Sequence, residues 1–315
     1  KELPELSKTV AGKVVLRVAP NVNGPLHIGH ARLLILNDEY KKRYRGKLIL
    51  RFDDTDPDVK RPMIEAYKWH LEDIKWLGIH PDVIAYASDR IPIYYEYAEK
   101  LIKTGGAYTC SCSQEKAQEY RKRGTACPHR EQPKEKSLRE FKDMIAGKYE
   151  KGDIVLKVKT NMKHPNPAVR DWVGLRVVRQ AHPRVGSKYK VWPMLDFQSA
   201  VDDHLLGVTH ILRGKELRPS TERQEYLYKY LGWKYPGTKY WGRVAIEELG
   251  KLSKTDLAKE IEAGKYKGWD DPKLPTLMGL RKKGIRPEAL REFIIQMGFS
   301  EKDVKASLKI LDAIN

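Results

Sequence analysis

The strongest constraint on this chain is the alternation with which it begins. KVVLRVA (residues 13–19) is a short, nearly continuous apolar run suited to a strand buried on both faces, and a Pro/Asn/Gly loop follows it. From about residue 28 to 44 the apolar positions, Leu33, Leu34, Ile35 and Leu36 among them, give a broad helical face closed by Gly46. KLILRFD (residues 47–53) reads as the next strand, about 61–77 as a helix stopped by Gly78, and DVIAYAS and IPIYYEYAEKLIKTGG as strand and helix. Strands alternating with helices predict an α/β fold built on a doubly wound parallel sheet.

The rhythm breaks after Gly106. Residues 107–190 carry all three cysteines, a basic polar stretch (RKRGTACPHREQPKEKSLRE) and shorter β-like pieces such as GDIVLKVK, which predicts an inserted α+β domain. Alternation resumes with FQSAVDDHLLG as helix, VTHILRG as strand, STERQEYLYKYLG as helix and YWGRVAIE as the last strand of the sheet. Residues 1–106 and 191–250 are thus expected to form two halves of one domain, and 251–315, beyond Gly250, an all-helical region.

Sixty Lys+Arg against 42 Asp+Glu gives a formal charge of +18, which favours a polyanionic partner, nucleic acid first, through counterion release. A Lys-rich surface of the thermophile kind is the plainer alternative. No run of about eighteen apolar residues occurs, and KELPELSKTV has no targeting character, so the chain reads as soluble and cytoplasmic, without a membrane partner. An odd number of cysteines does not make a disulfide framework.

Chemistry concentrates in three places. His27 and His30 share one face of a predicted first helical turn, where free N–H groups and the helix dipole seat phosphate, and Gly29 leaves room for a flat ring. The pair can donate hydrogen bonds to a nucleoside triphosphate without a metal; two surface histidines are the plainer reading. GKLSKT (residues 250–255) sets Lys251 and Lys254 around Ser253 in a loop able to close over phosphates. Cys110-x-Cys112 and Cys127-x-His129 match a structural Cys₃His zinc site with tight spacings, the alternative being three buried thiols and an exposed histidine.

HIGH and KLSKT together resemble the two signatures of class I aminoacyl-tRNA synthetases, with Leu252 and Thr255 departing from the second. RFDDTDP, VDDHLLGVTHILRGKEL and GWDDPKLPTLMGLRKKGIRPEALREF resemble the archaeal and eukaryotic-type branch of the glutamyl/glutaminyl subgroup, so the likeness runs from about residue 13 to 300. It implies a Rossmann-like nucleotide-binding fold, ATP with Mg²⁺, and attack of an amino-acid carboxylate on the α-phosphate before transfer to tRNA. His27, His30 and Lys254 are then expected on the phosphates, with Lys251 in support and Leu252 and Ser253 in the same loop. Gly24 and Gly29 would admit the nucleotide, Asn21 and Asn23 line its approach, and Gly214, Glu216, Leu217, Arg243 and Val244 contact ribose and adenine.

An arginine fork matches a carboxylate, whereas an amide would set donors against donors. Arg213, where glutaminyl relatives usually lack arginine, therefore points to glutamate. Arg17 and Asp53, the latter for the α-ammonium, complete the expected pocket, and Arg17 could equally pair with a carboxylate of DDTD. Leu195 replaces a tyrosine usual in the family, with Ser199 as possible compensation; Asp53 in place of glutamate leans towards the glutaminyl side. The resemblance further implies that the insertion receives the tRNA 3′ end and that helices from about Gly268 follow the inner side of the tRNA, in a monomer. Full-length relatives continue into β-barrels that bind the anticodon, so this sequence is expected to be a fragment. Rival readings are a glutaminyl enzyme, a truncated paralogue that glutamylates a tRNA base, and a non-catalytic tRNA-binding protein.

Overall fold

The computed structural model of the chain describes residues 2–249 and 254–315, the side chains of 254 and 255 excepted. The opening alternation folds as β1 (Val15–Val18), α1 (Ile28–Tyr44), β2 (Lys47–Phe52), α2 (Ile64–Trp76), β3 (Val83–Tyr86) and α3 (Ile91–Lys103). The strands form a parallel sheet in the order β1-β2-β3, with Arg17 opposite Ile49. Leu16, Val18, Leu48, Leu50 and Phe52 are fully buried, as strands covered on both faces require. The end of α1 differs from expectation. Arg45 takes the left-handed cap conformation (φ 50°), and Gly46 is needed for space instead: a Cβ there would lie 2.3 Å from the Val14 carbonyl oxygen.

The insertion comprises β4 (Ala107–Cys110), α4 (Gln114–Arg123), α5 (Lys134–Ile145), β5 (Val155–Val158), β6 (Trp172–Val177) and β7 (Val191–Pro193). Its sheet is antiparallel in the order β4-β5-β6-β7, and β7, which pairs with β6, runs to Pro193. After it come α6 (Leu195–Leu205), β8 (His210–Gly214), α7 (Arg218–Leu231) and β9 (Gly237–Trp241). Phe141, Leu156 and Trp192 of the insertion pack in one cluster with Tyr94 of α3 and Leu227 of α7, so insertion and flanking helices share a core.

Strand β8 pairs in parallel with β9, and Thr209 fastens its entry to β1 through bonds of 2.9 Å to Val15 in both directions. The ends of β1 and β8 thereby lie side by side. Beyond β9 the expected strand over YWGRVAIE is broken at Gly242. β10 (Val244–Ile246) pairs instead with a strand from the C-terminal region, which holds α8 (Lys254–Glu262), α9 (Leu277–Lys283), α10 (Pro287–Met297), β11 (Val304–Ala306) and α11 (Leu308–Ile314). That region is therefore not all-helical. The break follows from close backbone crossing, since Gly242 N–H donates to the Ser300 carbonyl and a Cβ on Gly242 would sit 2.1 Å from the Lys302 carbonyl oxygen. Among the described residues no helix is long and apolar enough to cross a membrane.

Candidate active site

His27 is the N-cap of α1, and its Nδ1 accepts from Gly29 N–H at 3.0 Å while His30 Nδ1 accepts from His27 N–H at 3.0 Å. Two imidazoles thus make the reciprocal capping box that a hydroxyl and a carboxylate usually make. Ile28 N–H donates to the Pro275 carbonyl and His30 N–H to the His27 carbonyl. The first-turn N–H groups expected to seat phosphate are therefore engaged inside the protein, and the space at Gly29 is filled by the His27 ring, whose Cε1 would lie 2.7 Å from an added Cβ. The backbone of this turn thus leaves its side chains as the groups that could meet an anion. A neutral imidazole that accepts at Nδ1 carries its proton on Nε2, so hydrogen bonding assigns each ring its donor at Nε2. The ring centroids are 3.9 Å apart.

The C-terminal region holds this motif in place. Leu277 N–H donates to the Leu26 carbonyl, the counterpart of the Ile28 bond, and Thr276 caps α9. On the other side, buried His70 donates from Nε2 to the Gly24 carbonyl at 2.7 Å, fixing the loop that carries Asn21 and Asn23. His70 was legible as a histidine on the apolar spacing Ala66, Tyr67, His70, Ile74 of α2, a position the motifs did not flag.

A cleft of about 470 Å³ opens beside Gly29, and Glu216, Arg243 and Val244 line it together with Arg32 and Trp241. The structure so gathers four of the expected nucleotide contacts, while Leu217 is 44% exposed, and Gly214 packs under the Glu216 carboxylate. Arg32 had escaped notice. It lies one turn past Ile28 on the same helix face, donates to the Gly242 carbonyl at 2.9 Å and the Gly298 carbonyl at 3.2 Å, and burial pulls it down to about 10 against the nearby Glu216. Lys251, Leu252 and Ser253 lie outside the described residues; Lys254 begins α8, its side chain likewise outside.

At the ends of β1, β2 and β8 three buried arginines, joined by half-buried Arg90 at the start of α3, divide into two kinds. Arg17, expected in the amino-acid pocket with a DDTD carboxylate as the plainer partner, pairs with Asp203 (3.2 Å), because α6 delivers Asp203 across the strand ends. Arg51, fully buried, binds Asp53 and Asp203 at 2.7 Å each, and Arg90 binds Asp202 at 2.7 Å. Gln198 links Asp53 to Asp202. Burial pushes the Asp53 carboxyl up despite Arg51, whereas Arg17 and Arg51 overcome burial to hold Asp203 down.

Arg213 is the other kind. It is 6% exposed, its Nη1 donates to Thr221 Oγ1 at 2.9 Å, the Tyr235 hydroxyl at 3.1 Å and Gln224 Oε1 at 3.4 Å, and its Nε has no acceptor. Ser199 is buried and accepts from Gln224 at 2.8 Å; Leu195, at the start of α6, is 54% exposed and not buried with it.

Residues 13–315 match the family model described as tRNA synthetases class I (E and Q), catalytic domain. The chain belongs to this family. A glutamate–tRNA ligase of Archaeoglobus fulgidus is 57% identical over 315 residues, covering 100% of this chain and 57% of its own. A glutamate–tRNA ligase of Pyrococcus furiosus is 54% identical over 316 residues, covering 100% of this chain and 55% of its own. The chain spans about half the length of the curated relatives it matches. Among solved structures, a glutamate–tRNA ligase from Elizabethkingia meningosepticum in complex with its amino acid aligns with a TM-score of 0.68 at 23% identity over 96% of this chain and 69% of that one, showing the same fold. A glutamate–tRNA synthetase from Elizabethkingia anophelis gives 0.64 at 26% identity over 91% and 62%.

In this class I catalytic domain the four expected metal ligands also come together. The ligand atoms of Cys110, Cys112, Cys127 and His129 lie within 4.8 Å of one another. Cys110 and Cys127 sulfurs are 3.9 Å apart, and His129 Nδ1 is 3.4 Å from Cys112 and 3.9 Å from Cys127. Ligands at tetrahedral zinc distances stand roughly 3.5–3.8 Å apart, so the set fits that ion. His129 Nε2 meets Ser111 Oγ at 3.1 Å, which orients Nδ1 towards the sulfurs. The hydrogen bond the two sulfurs share pulls the Cys110 thiol down and pushes the Cys127 thiol up, so one proton is held between them.

Proposed function

We propose that the chain carries the catalytic part of a glutamate–tRNA ligase. The carrying observation is Arg213: a buried guanidinium with neutral partners on one nitrogen and an unmet Nε is a cation built for an anion it does not itself contain. The γ-carboxylate of glutamate supplies that anion; the amide of glutamine would turn donors against it. Asp53, whose carboxyl burial has raised, gains from one more cation, which suits it to an α-ammonium.

In the reaction an α-carboxylate oxygen of glutamate forms a bond to the α-phosphorus of ATP as the bond to pyrophosphate breaks. The 2′-hydroxyl of the tRNA terminal adenosine then displaces AMP. His27 and His30 present Nε2 donors to the phosphates, Lys254 and Lys251 add charge where pyrophosphate departs, and Mg²⁺ accompanies the ATP. The cleft lined by Glu216, Arg243 and Val244 takes the adenosine. The insertion meets the tRNA acceptor end, braced by zinc on Cys110, Cys112, Cys127 and His129, and the net charge of +18 favours that partner. Elemental analysis should find about one zinc per chain, lost in Cys110→Ser.

ATP–pyrophosphate exchange with glutamate and with glutamine, tRNA present, tests the assignment. Glutamate should be the substrate with the higher kcat/KM; a preference for glutamine would transfer the site to the glutaminyl reading.

A further inference from the structure

The other three arginines named at these strand ends are matched with carboxylates: Arg17 with Asp203, Arg51 with Asp53 and Asp203, Arg90 with Asp202. Arg213 alone among these has neutral oxygen partners, and the reason lies on α7 and the loop after it. Gln224 is fully buried and wholly committed. Its Oε1 accepts from Arg213 and from the Tyr235 hydroxyl, and its Nε2 donates to the Asp196 carbonyl at 3.1 Å and Ser199 Oγ at 2.8 Å. A flipped amide would set NH₂ against the guanidinium, so the network admits one orientation. Thr221 Oγ1, the third partner of Nη1, also accepts from Tyr240 at 2.8 Å.

We infer that Gln224, with Thr221 and Tyr235, is a specificity-determining positioning residue: it pins Nη1 of Arg213 with uncharged oxygens only, leaving the whole charge and the Nε–Nη2 edge of the guanidinium to choose a carboxylate over an amide. The inference rests on the reading of Arg213 as the side-chain cation of the pocket. Its physical content is the identity of one atom. A carboxylate in the place of the Gln224 amide has the same shape and number of heavy atoms, yet it would pair with Arg213, cancel the field reaching the substrate and remove the discrimination between γ-carboxylate and γ-amide.

Gln224→Glu is therefore the test, measured in ATP–pyrophosphate exchange with tRNA present. The expected result is a rise of at least about tenfold in KM for glutamate, a smaller fall or a rise in kcat/KM for glutamine, and an unchanged KM for ATP. Gln224→Met, which removes the oxygen but adds no charge, should keep the ratio of glutamate to glutamine kcat/KM while lowering both. A folding role alone would move the two variants together. If Gln224→Glu does not fold, Thr221→Asp sets a carboxylate against the same nitrogen with the same expectation. A parent that prefers glutamate, loses the preference in Arg213→Gln and keeps it in Gln224→Glu overturns the positioning role while sparing the pocket reading. A preference that survives Arg213→Gln overturns both.

Discussion

Arg51 and Arg213 sit at the ends of β2 and β8, the strands on either side of β1, and are both buried, yet they do opposite things with their charge. Arg51 is enclosed by Asp53 and Asp203 at 2.7 Å, and with Arg17, Arg90 and Asp202 it makes a set of three cations and three anions. Such a set is closed on its cationic side: it holds β1, β2, α3 and α6 in register, and each of its arginines is answered by a carboxylate of the chain. Arg213, 6% exposed and bonded to a threonine, a glutamine and a tyrosine, is open. Among the described residues no carboxylate pairs with it, which leaves its charge for an anion from outside the chain. Burial alone says nothing about function; the nature of the partners does.

The largest effect should come from breaking the closed set. Arg51→Met leaves Asp53 and Asp203 facing each other without their common cation, and urea unfolding should show a loss of about 3–5 kcal/mol, with activity lost for every amino acid. A stability within about 1 kcal/mol of the parent would mean that the set does not hold the strand ends together.

Asp73 is the acidic counterpart of Arg213, with the escape that arginine lacks. It is fully buried in α2, neither oxygen has a hydrogen-bond partner, and Arg281 approaches only to 3.5 Å. Burial, only partly offset by Arg281, raises its carboxyl from 3.8 to about 7. The folded state then holds a proton that the unfolded chain releases from about pH 4 upward, so stability is full below pH 4, falls as pH rises towards 7, and is flat beyond. The loss is on the order of 2–4 kcal/mol, and Asp73→Asn should abolish it. Urea midpoints at pH 5 and pH 8 in parent and variant decide this; parallel pH profiles would assign the slope elsewhere.

Arg32 is the intermediate case, with two backbone carbonyls as partners and Glu216 in its field. Arg32→Met should release Gly242 from the cleft wall and weaken ATP binding by about 1–2 kcal/mol, seen as a higher KM for ATP at nearly constant kcat. A fall in kcat alone would place Arg32 outside the adenosine site.

Much of this was written locally in the sequence. The apolar spacing of 28–44 coincides with α1, and the Cys-x-Cys and Cys-x-His pairs converge as spaced. What stayed hidden depends on partners far along the chain. Asp203 reaches Arg17 across 186 residues, Pro275 closes the N–H of Ile28, and the segment before β11 crosses Gly242 and splits the expected last strand. Local pattern cannot report which distant oxygen answers a donor, so free N–H groups were expected at His27–His30 where the fold has already used them. Arg213 was legible as a cation. That its neighbours would all be neutral was not.

Arg213→Gln measures the open charge directly, by unfolding stability and glutamate kcat/KM on the same protein. Removing a cation that pairs with no carboxylate among the described residues should leave stability unchanged or higher, while kcat/KM for glutamate falls by roughly 2–5 kcal/mol in transition-state free energy and that for glutamine falls less. A variant that unfolds like Arg51→Met, or one that keeps its preference for glutamate, would contradict the division between closed and open arginines.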